Sequence, residues 1–416
     1  MRTRFSLALA GTLALAAACT EHQSSPTAPV GSPSLSVSPG SNGRFGMVLR
    51  PGAHPRGGDG IPTPSPTGDM TNHGGGVMTT NVTYALFSGP DWQVNSMFTG
   101  DKITSIESFL TGLGGSVYGG ILSEYSAGGG SSYLGRLVNN GAALSANASA
   151  SDLVSYVCDQ LNANGITARN DAIYIVFTED PLTNQRYLGY HTDGLCQSPF
   201  TIIKPALVLT QDGDNFVTDG VYHSSNAAAL VNTMAHEVFE TATDPGGSTW
   251  YATNTTGEIG DKCNFVFDGY MPLANGDHFK VQTEWSNAAK DLGTGLKNYN
   301  GEAGCVARNH PSLTSATTNP SPAKQYTPFT ITLDGSGFDP ATVIALFEET
   351  NVGCGTPPNW TCTPDTLYTN SDFTSKSSTE LVGPARTFSA QATLYIWLQN
   401  GYSQPSNYVT IVVNHI

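Results

Sequence analysis

Met234-Ala-His-Glu-Val-Phe-Glu-Thr-Ala-Thr-Asp-Pro245 is the stretch that constrains the fold most strongly. It predicts a long helix that begins at Ser224 or Ser225, since either hydroxyl can cap the first turn. The helix should end at Asp244, because the residue before a proline avoids helical geometry. Its apolar stripe consists of Leu230, Val231, Met234 and Val238.

The same helix carries His236, Glu237 and Glu240. Residues four apart share a helix face, so His236 and Glu240 are predicted to hold one metal ion, with Glu237 beside it as a base. This resembles the H-E-x-x-H arrangement of zinc hydrolases, with a carboxylate in place of the second histidine. Because His236 and Glu240 fall opposite the apolar stripe, they are predicted to face a cleft or solvent.

A metal hydrolase needs a third protein ligand and an open position on the metal for water. A nearby carboxylate takes the proton of that water. Asp261 is the predicted third ligand, because it lies in a glycine-bounded loop that Cys263 would hold in place. Glu258 is the second option in that loop, although both carboxylates could simply accept backbone hydrogen bonds. Asp244 is expected to make helix-end hydrogen bonds. Zinc is the predicted ion, and the carboxylate-rich set also suits calcium or manganese.

His191 is the remaining candidate, in Leu188-Gly-Tyr-His-Thr192. It could be a metal ligand or a donor to a developing oxyanion, and we place it with Glu237 as a catalytic candidate. The competing interpretation is a structural histidine, which is the commoner role of an isolated one. His223, His278 and Tyr270 have no distinguishing sequence context.

The N-terminus predicts export. Arginines precede an apolar run, Phe5 to Ala18, that is too short and too rich in alanine to be a good membrane span. It ends in Leu15-Ala-Ala-Ala-Cys19, which resembles a bacterial lipoprotein signal with a lipidated cysteine that would attach the protein to the outer membrane or cell surface. An ordinary secretory signal peptide, residues 1–18, is the alternative. Residues 19–75 are rich in Ser, Pro and Gly, which predicts a disordered tether.

Composition limits the partners. The net charge is −15 and no basic patch occurs in the sequence, which argues against nucleic-acid binding. Charged residues make up only 12% of the chain, alongside 46 glycines and 25 prolines, a balance typical of loop-rich and strand-rich exported proteins. The acidity itself identifies no partner. A cell-wall glycan or a protein is the expected substrate of a protein tethered outside the cell.

Cysteine usage predicts disulfides. Setting Cys19 aside leaves an even number of cysteines in an exported chain, which favours disulfides. The sequence has no C-x-x-C spacing of the kind that cysteine metal sites use. Six cysteines allow many connectivities, so the pairing stays open from sequence. The favoured pairs are Cys158–Cys196, Cys263–Cys305 and Cys354–Cys362.

Two folded regions follow the tether. Strands alternate with helices in residues 76–308, which predicts an α/β or α+β domain of metallopeptidase-like type. Its predicted elements are strand Val82–Phe87, helix Lys102–Leu113, helix Ser151–Leu161, strand Ala172–Thr178 and strand Pro205–Thr210. The run Ala172–Thr178 is apolar almost throughout, so this strand is predicted to be buried on both faces.

Residues 311–416 contain short β-rich runs separated by turn residues, which predicts a β-sandwich. The runs are Phe329–Leu333, Thr342–Phe347, Ala392–Leu398 and Tyr408–Val413. Three segments resemble the IPT/TIG type of immunoglobulin-like domain, namely Pro320-Ser-Pro322, Gly335-Ser-Gly-Phe338 and Leu398-Gln-Asn-Gly-Tyr-Ser-Gln-Pro-Ser-Asn407.

A family resemblance rests on segments that follow one another in order. They are Gly74-Gly-Gly-Val-Met78, Gly89-Pro-Asp-Trp92, Gly189-Tyr-His-Thr192, Asp219-Gly, Met234 to Pro245, Thr249-Trp-Tyr251, Glu258-Ile-Gly-Asp-Lys-Cys263, Val281-Gln282, Trp285 and Cys305. Over about residues 74–306 the chain resembles the phosphate-induced protein family, which includes the plant EXORDIUM proteins and bacterial relatives. The biochemical activity of that family is poorly defined.

The resemblance implies a secreted or surface protein with an H-E-x-x-E helix. The positions that carry over are His191, His236, Glu237, Glu240, Asp261, Cys263 and Cys305. The chain departs from plant members in lacking their extra cysteines near Gly189-Tyr-His.

Two functional hypotheses follow. The first is an exported zinc-dependent, peptidase-like hydrolase in which His236, Glu240 and Asp261 bind the ion. The second is a non-catalytic envelope protein that binds glycan or protein and uses the same residues as a structural ion site or polar network.

Overall fold

A mixed β-sheet supports the helix that carries the predicted site. The structure is a computed structural model that describes residues 45–49, 67–94, 100–179, 187–197, 200–209, 217, 219–252, 257–353, 355–356, 359–360 and 363–416. All of them belong to the unit Val37–Ile416. Up to the site helix, the elements are β1 (Phe45–Leu49), β2 (Met70–Asn72), β3 (Val82–Ser88), α1 (Asp91–Val94), α2 (Lys102–Leu113), β4 (Ser132–Asn139), α3 (Ala150–Ala163), β5 (Ala172–Thr178), β6 (Tyr187–His191), β7 (Gly194–Gln197), β8 (Phe200–Leu209) and α4 (Ser225–Thr243). A 3-10 helix, Gly119–Tyr125, precedes β4.

The sheet has seven strands in the order β1-β6-β8-β5-β3-β4, with β7 paired to β8. Its centre is parallel, since β3 pairs in parallel with both β4 and β5, and β5 pairs in parallel with β8. The side nearer the site is antiparallel, because β6 runs against β8 and β1 runs against β6. The result is a mixed α/β layer, and across the described residues strands outnumber helices.

Helices cover both faces of this sheet. In β5 the side chains alternate between two cores, as the strand pleat requires. Ile173, Ile175 and Phe177 belong to the core shared with α2 and α4. Tyr174 and Val176 belong to the core shared with α3. Every residue of β5 is buried, which confirms the prediction of a strand buried on both faces.

The predicted helices are present. α2 has its predicted bounds, and α3 is slightly longer than predicted. α4 begins after Ser224, whose side-chain oxygen accepts a hydrogen bond from the amide of Ala227 at 3.2 Å. It ends at the C-cap Asp244, as the following proline requires.

The tether prediction for residues 19–75 is wrong at two places. Phe45–Leu49 forms β1 on the large sheet, and Met70–Asn72 forms β2, which pairs with Trp250–Ala252. Strand pairing uses backbone groups, which an existing sheet edge offers to almost any extended segment. Composition therefore does not reveal it.

Pro205 lies inside β8 instead of at its start. The strand begins at Phe200, five residues before the predicted position. Pairing with β6 ends at Ala206, and pairing with β7 extends from Phe200 to Ile203. Pro205 thus lies where β8 changes partners, so its missing N–H disrupts neither ladder.

The chain after α4 forms short elements and loops around the site. They are β9 (Trp250–Ala252), a 3-10 helix (Asp261–Cys263), β10 (Met271–Pro272), β11 (His278–Phe279), β12 (Glu284–Trp285), α5 (Asn287–Asp291), β13 (Leu296–Lys297) and β14 (Ala303–Val306). β12, β14 and β13 form a small antiparallel sheet. Met271, Phe279, Val281 and Trp285 from this region complete the core around α4.

The C-terminal strands form two antiparallel four-stranded sheets, β15-β16-β22-β21 and β20-β17-β23-β24. Their bounds are β15 (Ser312–Asn319), β16 (Thr330–Ser336), β17 (Val343–Glu349), β18 (Gly355–Thr356), β19 (Asn359–Trp360), β20 (Asp365–Tyr368), β21 (Ser375–Lys376), β22 (Glu380–Val382), β23 (Ala392–Asn400) and β24 (Val409–Val413), with a 3-10 helix at Thr350–Val352. One core, including Leu333, Ile396 and Ile411, joins side chains of both sheets, so this region is a β-sandwich.

Some predictions lie outside the described residues, namely the signal peptide of residues 1–18, the lipidated Cys19 and the Cys354–Cys362 pair. The other two favoured disulfides are formed, Cys158–Cys196 and Cys263–Cys305, with Cα atoms 5.6 Å and 5.7 Å apart. Among the helices that the structure describes, none combines the length and apolarity needed to cross a bilayer.

Candidate metal centre

The candidate centre lies between α4, the end of β6 and the 3-10 helix Asp261–Cys263. α4 packs against β6, β8 and α2. His236, Glu237 and Glu240 are fully buried, as is His191 at the end of β6. Only Asp261 among the predicted residues keeps appreciable exposure, with 20% of its side chain accessible.

The prediction that His236 and Glu240 face a cleft or solvent is therefore wrong. The side of α4 opposite its apolar stripe is covered by other elements, and every residue from Ala227 to Thr243 is buried. Helical periodicity locates the polar face correctly, but it cannot reveal that a sheet and a loop close over that face.

The three predicted metal ligands converge. Nε2 of His236 lies 2.9 Å from Oε1 of Glu240 and 3.6 Å from Oδ1 of Asp261. The backbone N–H of Asp261 donates to Oε1 of Glu240 at 3.0 Å. One donor atom from each residue lies within 4.8 Å of the others, so this set could hold a metal ion.

A second set of possible ligands shares Glu240. Nδ1 of His191 lies 3.4 Å from Oε2 of Glu237 and 3.8 Å from Oε2 of Glu240, again within reach of one ion. Glu240 thus offers one carboxylate oxygen to each set. The structure brings together all five residues that the sequence singled out.

Glycines make room for these side chains. A Cβ on Gly260 would lie 2.8 Å from Nδ1 of His236, so this backbone packs directly against the imidazole ring. A Cβ on Gly189 would lie 2.7 Å from Oε1 of Glu237. Contacts this close exclude any larger residue unless a neighbour moves, which explains glycine at both positions.

The loop that carries Asp261 is fixed from two directions. Cys263, two residues after Asp261, forms a disulfide with Cys305 of β14. Nε2 of Gln282 donates to the carbonyl of Gly260 at 2.9 Å, while the N–H of Gln282 donates to Oδ1 of Asn232 on α4 at 2.7 Å. The predicted role of Cys263 as an anchor for Asp261 is therefore met.

The two histidines have opposite protonation tendencies. Burial alone would lower the pKa of His236, but the carboxylates of Glu240 and Asp261 raise it well above its ordinary value. Burial lowers the pKa of His191 to about 3. Burial also raises the pKa of Glu240 to about 7, against the effect of His236. Without a cation, protons must therefore balance the buried carboxylates.

The donors fit a divalent cation. Nε2 of His191 lies 3.2 Å from the carbonyl of Asp244, which can only accept, so this nitrogen carries the hydrogen. The lone pair of neutral Nδ1 then faces the carboxylates of Glu237 and Glu240, an arrangement that needs a proton or a cation between them. Oε2 of Glu240 is buried without a hydrogen-bond partner among the described residues, and such an atom costs about 1–3 kcal/mol.

Asp244 and Glu258, the other two carboxylates considered from sequence, differ in their contacts. The Asp244 carboxylate accepts backbone hydrogen bonds from Ser248 and Thr249, at 2.6 Å and 2.7 Å, which is its predicted helix-end role. Glu258 lies at the centre, with Oε2 3.5 Å from Nε2 of His191. Burial, followed by neighbouring carboxylates, raises the pKa of Glu258 well above its ordinary value.

The structure gives His223 a context that its sequence position does not reveal. Its Nδ1 lies 3.0 Å from Oγ of Ser105, and its Nε2 lies 3.2 Å from Oδ1 of Asp277. Ser105 is buried in α2, so this chain of hydrogen bonds ties α2 to the α4 entry and to the Asp277 turn. His278 and Tyr270 lie against Tyr222, at ring distances of 4.9 Å and 5.0 Å.

A separate cavity of about 750 Å³ is lined by Arg169, Asp193, Phe200, Lys204 and Thr249, among others. None of the five donor residues lines it.

Comparisons with known proteins give little. No protein-family model matches the chain. No curated protein matches it. Among solved structures, the chain is similar to a PKD domain of an M14-like peptidase from Thermoplasmatales archaeon SCGC AB-540-F20, with 16% identity, a TM-score of 0.16, and coverage of 25% of this chain and 94% of that one.

Proposed function

We propose that this chain is an exported, surface-tethered hydrolase of peptidase-like type that holds zinc with His236, Glu240 and Asp261. The observation that carries the proposal is the convergence of these donor atoms, from α4 and a disulfide-anchored loop, within reach of one ion. Calcium and manganese are the other ions that the carboxylate-rich set suits.

The chemistry assigns roles to the remaining residues. A bound divalent ion supplies Lewis acidity, which makes a water molecule easier to deprotonate. Glu237 is the base that accepts the proton, and once protonated it donates a hydrogen bond to Nδ1 of His191, 3.4 Å away. The N–H of His191 is already donated to the carbonyl of Asp244, so His191 acts by positioning Glu237 and not as a donor to a developing oxyanion.

Export and tethering belong to the same proposal. They rest on the signal-like segment that ends at Cys19, and the two formed disulfides are typical of an oxidising compartment. The β-sandwich acts as an IPT/TIG-like spacer or as a surface that binds cell-wall glycan or protein. Membership of the EXORDIUM-like family is supported by its motif segments, because Gly189-Tyr-His, the α4 motif and the Asp261 loop meet at one centre.

A second function competes, because His191, Glu237 and Glu240 are fully buried. A buried ion with no open position would stabilise the fold without catalysis. The protein would then be a non-catalytic envelope protein that binds glycan or protein.

The test compares the purified protein with Glu237→Gln and His236→Ala. Metal analysis should find an ion in the parent and in Glu237→Gln, and little in His236→Ala. Hydrolysis of denatured casein should fall by about 100-fold or more in Glu237→Gln, because a positioned base contributes that much.

Other results discriminate among the alternatives. Loss of the ion from Glu237→Gln would place it in the His191, Glu237 and Glu240 set instead. Unfolding on chelation, with no hydrolysis of protein or glycan by the loaded parent, would favour the structural role.

A further inference from the structure

β1 occupies an unusual position for a segment so far from its partner in sequence. Phe45–Leu49 pairs antiparallel with β6, with Phe45 opposite His191, Val48 opposite Gly189 and Leu49 opposite Tyr187. It is the outermost strand of the sheet on this side. If β1 left, the outer backbone groups of β6 would become a free sheet edge.

This edge is also a wall of the candidate metal centre. β6 contributes His191 itself and Gly189, whose backbone lies against the carboxylate of Glu237. β1 lies beside α4 and beside the 3-10 helix Asp261–Cys263 as well as beside β6. The strand therefore passes along the elements that supply all five donors.

We infer that the β6 edge binds an extended polypeptide as an added antiparallel strand, and that residues 45–49 of this chain occupy that position and cover the centre. An edge strand recognises an extended peptide through backbone hydrogen bonds, which makes it tolerant of sequence. The chain's own β1 demonstrates the pairing, since it lies antiparallel along β6, with register shifts on both sides of Val48, without belonging to a neighbouring hairpin.

Two consequences follow. The substrate class of the proposed hydrolase is an extended segment of polypeptide, and here the inference rests on the proposed function. Access to the buried donors requires β1 to leave β6, so the occupied state is the closed state. Binding of peptide at this edge does not itself depend on hydrolysis.

The test measures binding in the full-length protein with Glu237→Gln present, so that no peptide is consumed. Phe45→Pro with Val48→Pro removes backbone donors of β1 and should release the edge. Asn42→Pro, outside β1, is the matched control. The probe is a fluorescent peptide of residues 43–51, Gly-Arg-Phe-Gly-Met-Val-Leu-Arg-Pro, and the control probe carries the same two prolines.

The double-proline variant should bind the probe about tenfold or more tightly than the control variant, because apparent affinity scales with the fraction of molecules whose edge is free. The control probe should not bind. Equal binding by both variants, or no binding by a folded double-proline variant, would overturn the inference.

A second measurement needs no variant. Hydrogen exchange in the unmodified protein should show protected amides in residues 45–49, and excess unlabelled probe should speed their exchange by displacing β1. Unprotected amides, or exchange that the probe leaves unchanged, would contradict the inference.

These outcomes are separable from those of the proposed function. If the protein with its native Glu237 binds peptide but hydrolyses none, the proposed hydrolase is contradicted and the peptide-binding edge is not. If hydrolysis is equally fast with β1 intact and with β1 disrupted by proline, the covering role of β1 is contradicted and the proposed hydrolase is not.

Discussion

At the scale of single residues, the centre depends on small groups as much as on its ligands. The i, i+4 spacing of His236 and Glu240 makes their pairing predictable from sequence. The sequence does not predict that Glu258 and His191 join the same cluster, because a strand end and a loop meet there only through the tertiary fold. Gly260 is important because its backbone packs against the ring of His236, which lies 24 residues earlier in the chain.

Gly260→Ala should therefore weaken metal binding without unfolding the protein. Gly260 has φ −78°, which alanine tolerates, so the conflict is with the His236 ring, whose Nδ1 and Cγ would lie 2.8 Å and 2.9 Å from the new Cβ. Displacing that ring should lower metal affinity about 10- to 100-fold, the usual effect of disturbing a ligand's support. Calorimetric titration with zinc measures it. Gly130→Ala, where a Cβ meets nothing within 4 Å, should bind as the parent does.

Glu284 gives a prediction about pH. Burial, the largest cause, raises its pKa well above 4.5, and its Oε1 accepts from the Tyr118 hydroxyl at 2.7 Å. A raised carboxyl pKa means that the folded state binds more protons, so its stabilising contribution is present below the unfolded pKa. It is lost as pH rises through the folded value.

In metal-free protein, Glu284→Gln should reduce the fall in unfolding free energy with rising pH. The variant should therefore be more stable than the parent at pH 8 and about equally stable at pH 4. Denaturant unfolding across that range measures it. Glu380→Gln, at an exposed position of β22, should leave the slope of the parent. A variant that is less stable than the parent at every pH would contradict the assignment of a protonated Glu284.

At the scale of elements, long amphipathic segments were the most predictable. α2 and α4 have clear apolar stripes, α4 is capped by Ser224, and the structure places both helices within a residue of the predicted bounds. The sequence does not predict β1 and β2, because their pairing partners lie far away in the chain and periodicity carries no information about partners. The start of β8 is also not predicted, although its partner β7 directly precedes it in the chain. β1 pairs with a strand more than a hundred residues later.

The two described disulfides support different elements, and this separates stability from metal binding. Cys158–Cys196 joins α3 to β7, while Cys263–Cys305 joins the Asp261 helix to β14. Replacing either pair by serine should cost about 2–4 kcal/mol of unfolding free energy, because each closes a loop of similar length.

Only the Cys263–Cys305 double variant should also lose metal affinity, since it releases the loop that carries Asp261. Parallel denaturant and zinc titrations distinguish the two effects. Equal metal affinity in both double variants would show that the hydrogen bonds of Gln282 suffice to hold the loop.

At the scale of the whole molecule, the division into an α/β region and a β-sandwich was visible from the change in residue pattern near Pro311. The contacts across that junction were not. Nε2 of Gln404, in the connection after β23, donates to Oε2 of Glu124 at 2.6 Å and to the carbonyl of Ile121 at 3.2 Å. The N–H of Ala307 donates to the carbonyl of Tyr402 at 2.9 Å. Such long-range polar contacts depend on the docking of two finished surfaces, which no local pattern encodes.

Metal binding should be linked to the stability of the whole fold, because α4 contributes Leu230, Met234 and Phe239 to the core that it shares with α2 and β5. A ligand that binds only the folded state stabilises it by about 2.7 kcal/mol at one hundred times its dissociation constant. Zinc should therefore raise the Tm of the parent in a concentration-dependent way, and a chelator should reverse the shift. His236→Ala should abolish the shift, while His278→Ala, whose ring stacks on Tyr222 away from the centre, should retain it. A zinc-dependent shift that persists in His236→Ala would mean that the ion binds elsewhere, because removing this imidazole leaves its set with carboxylates alone.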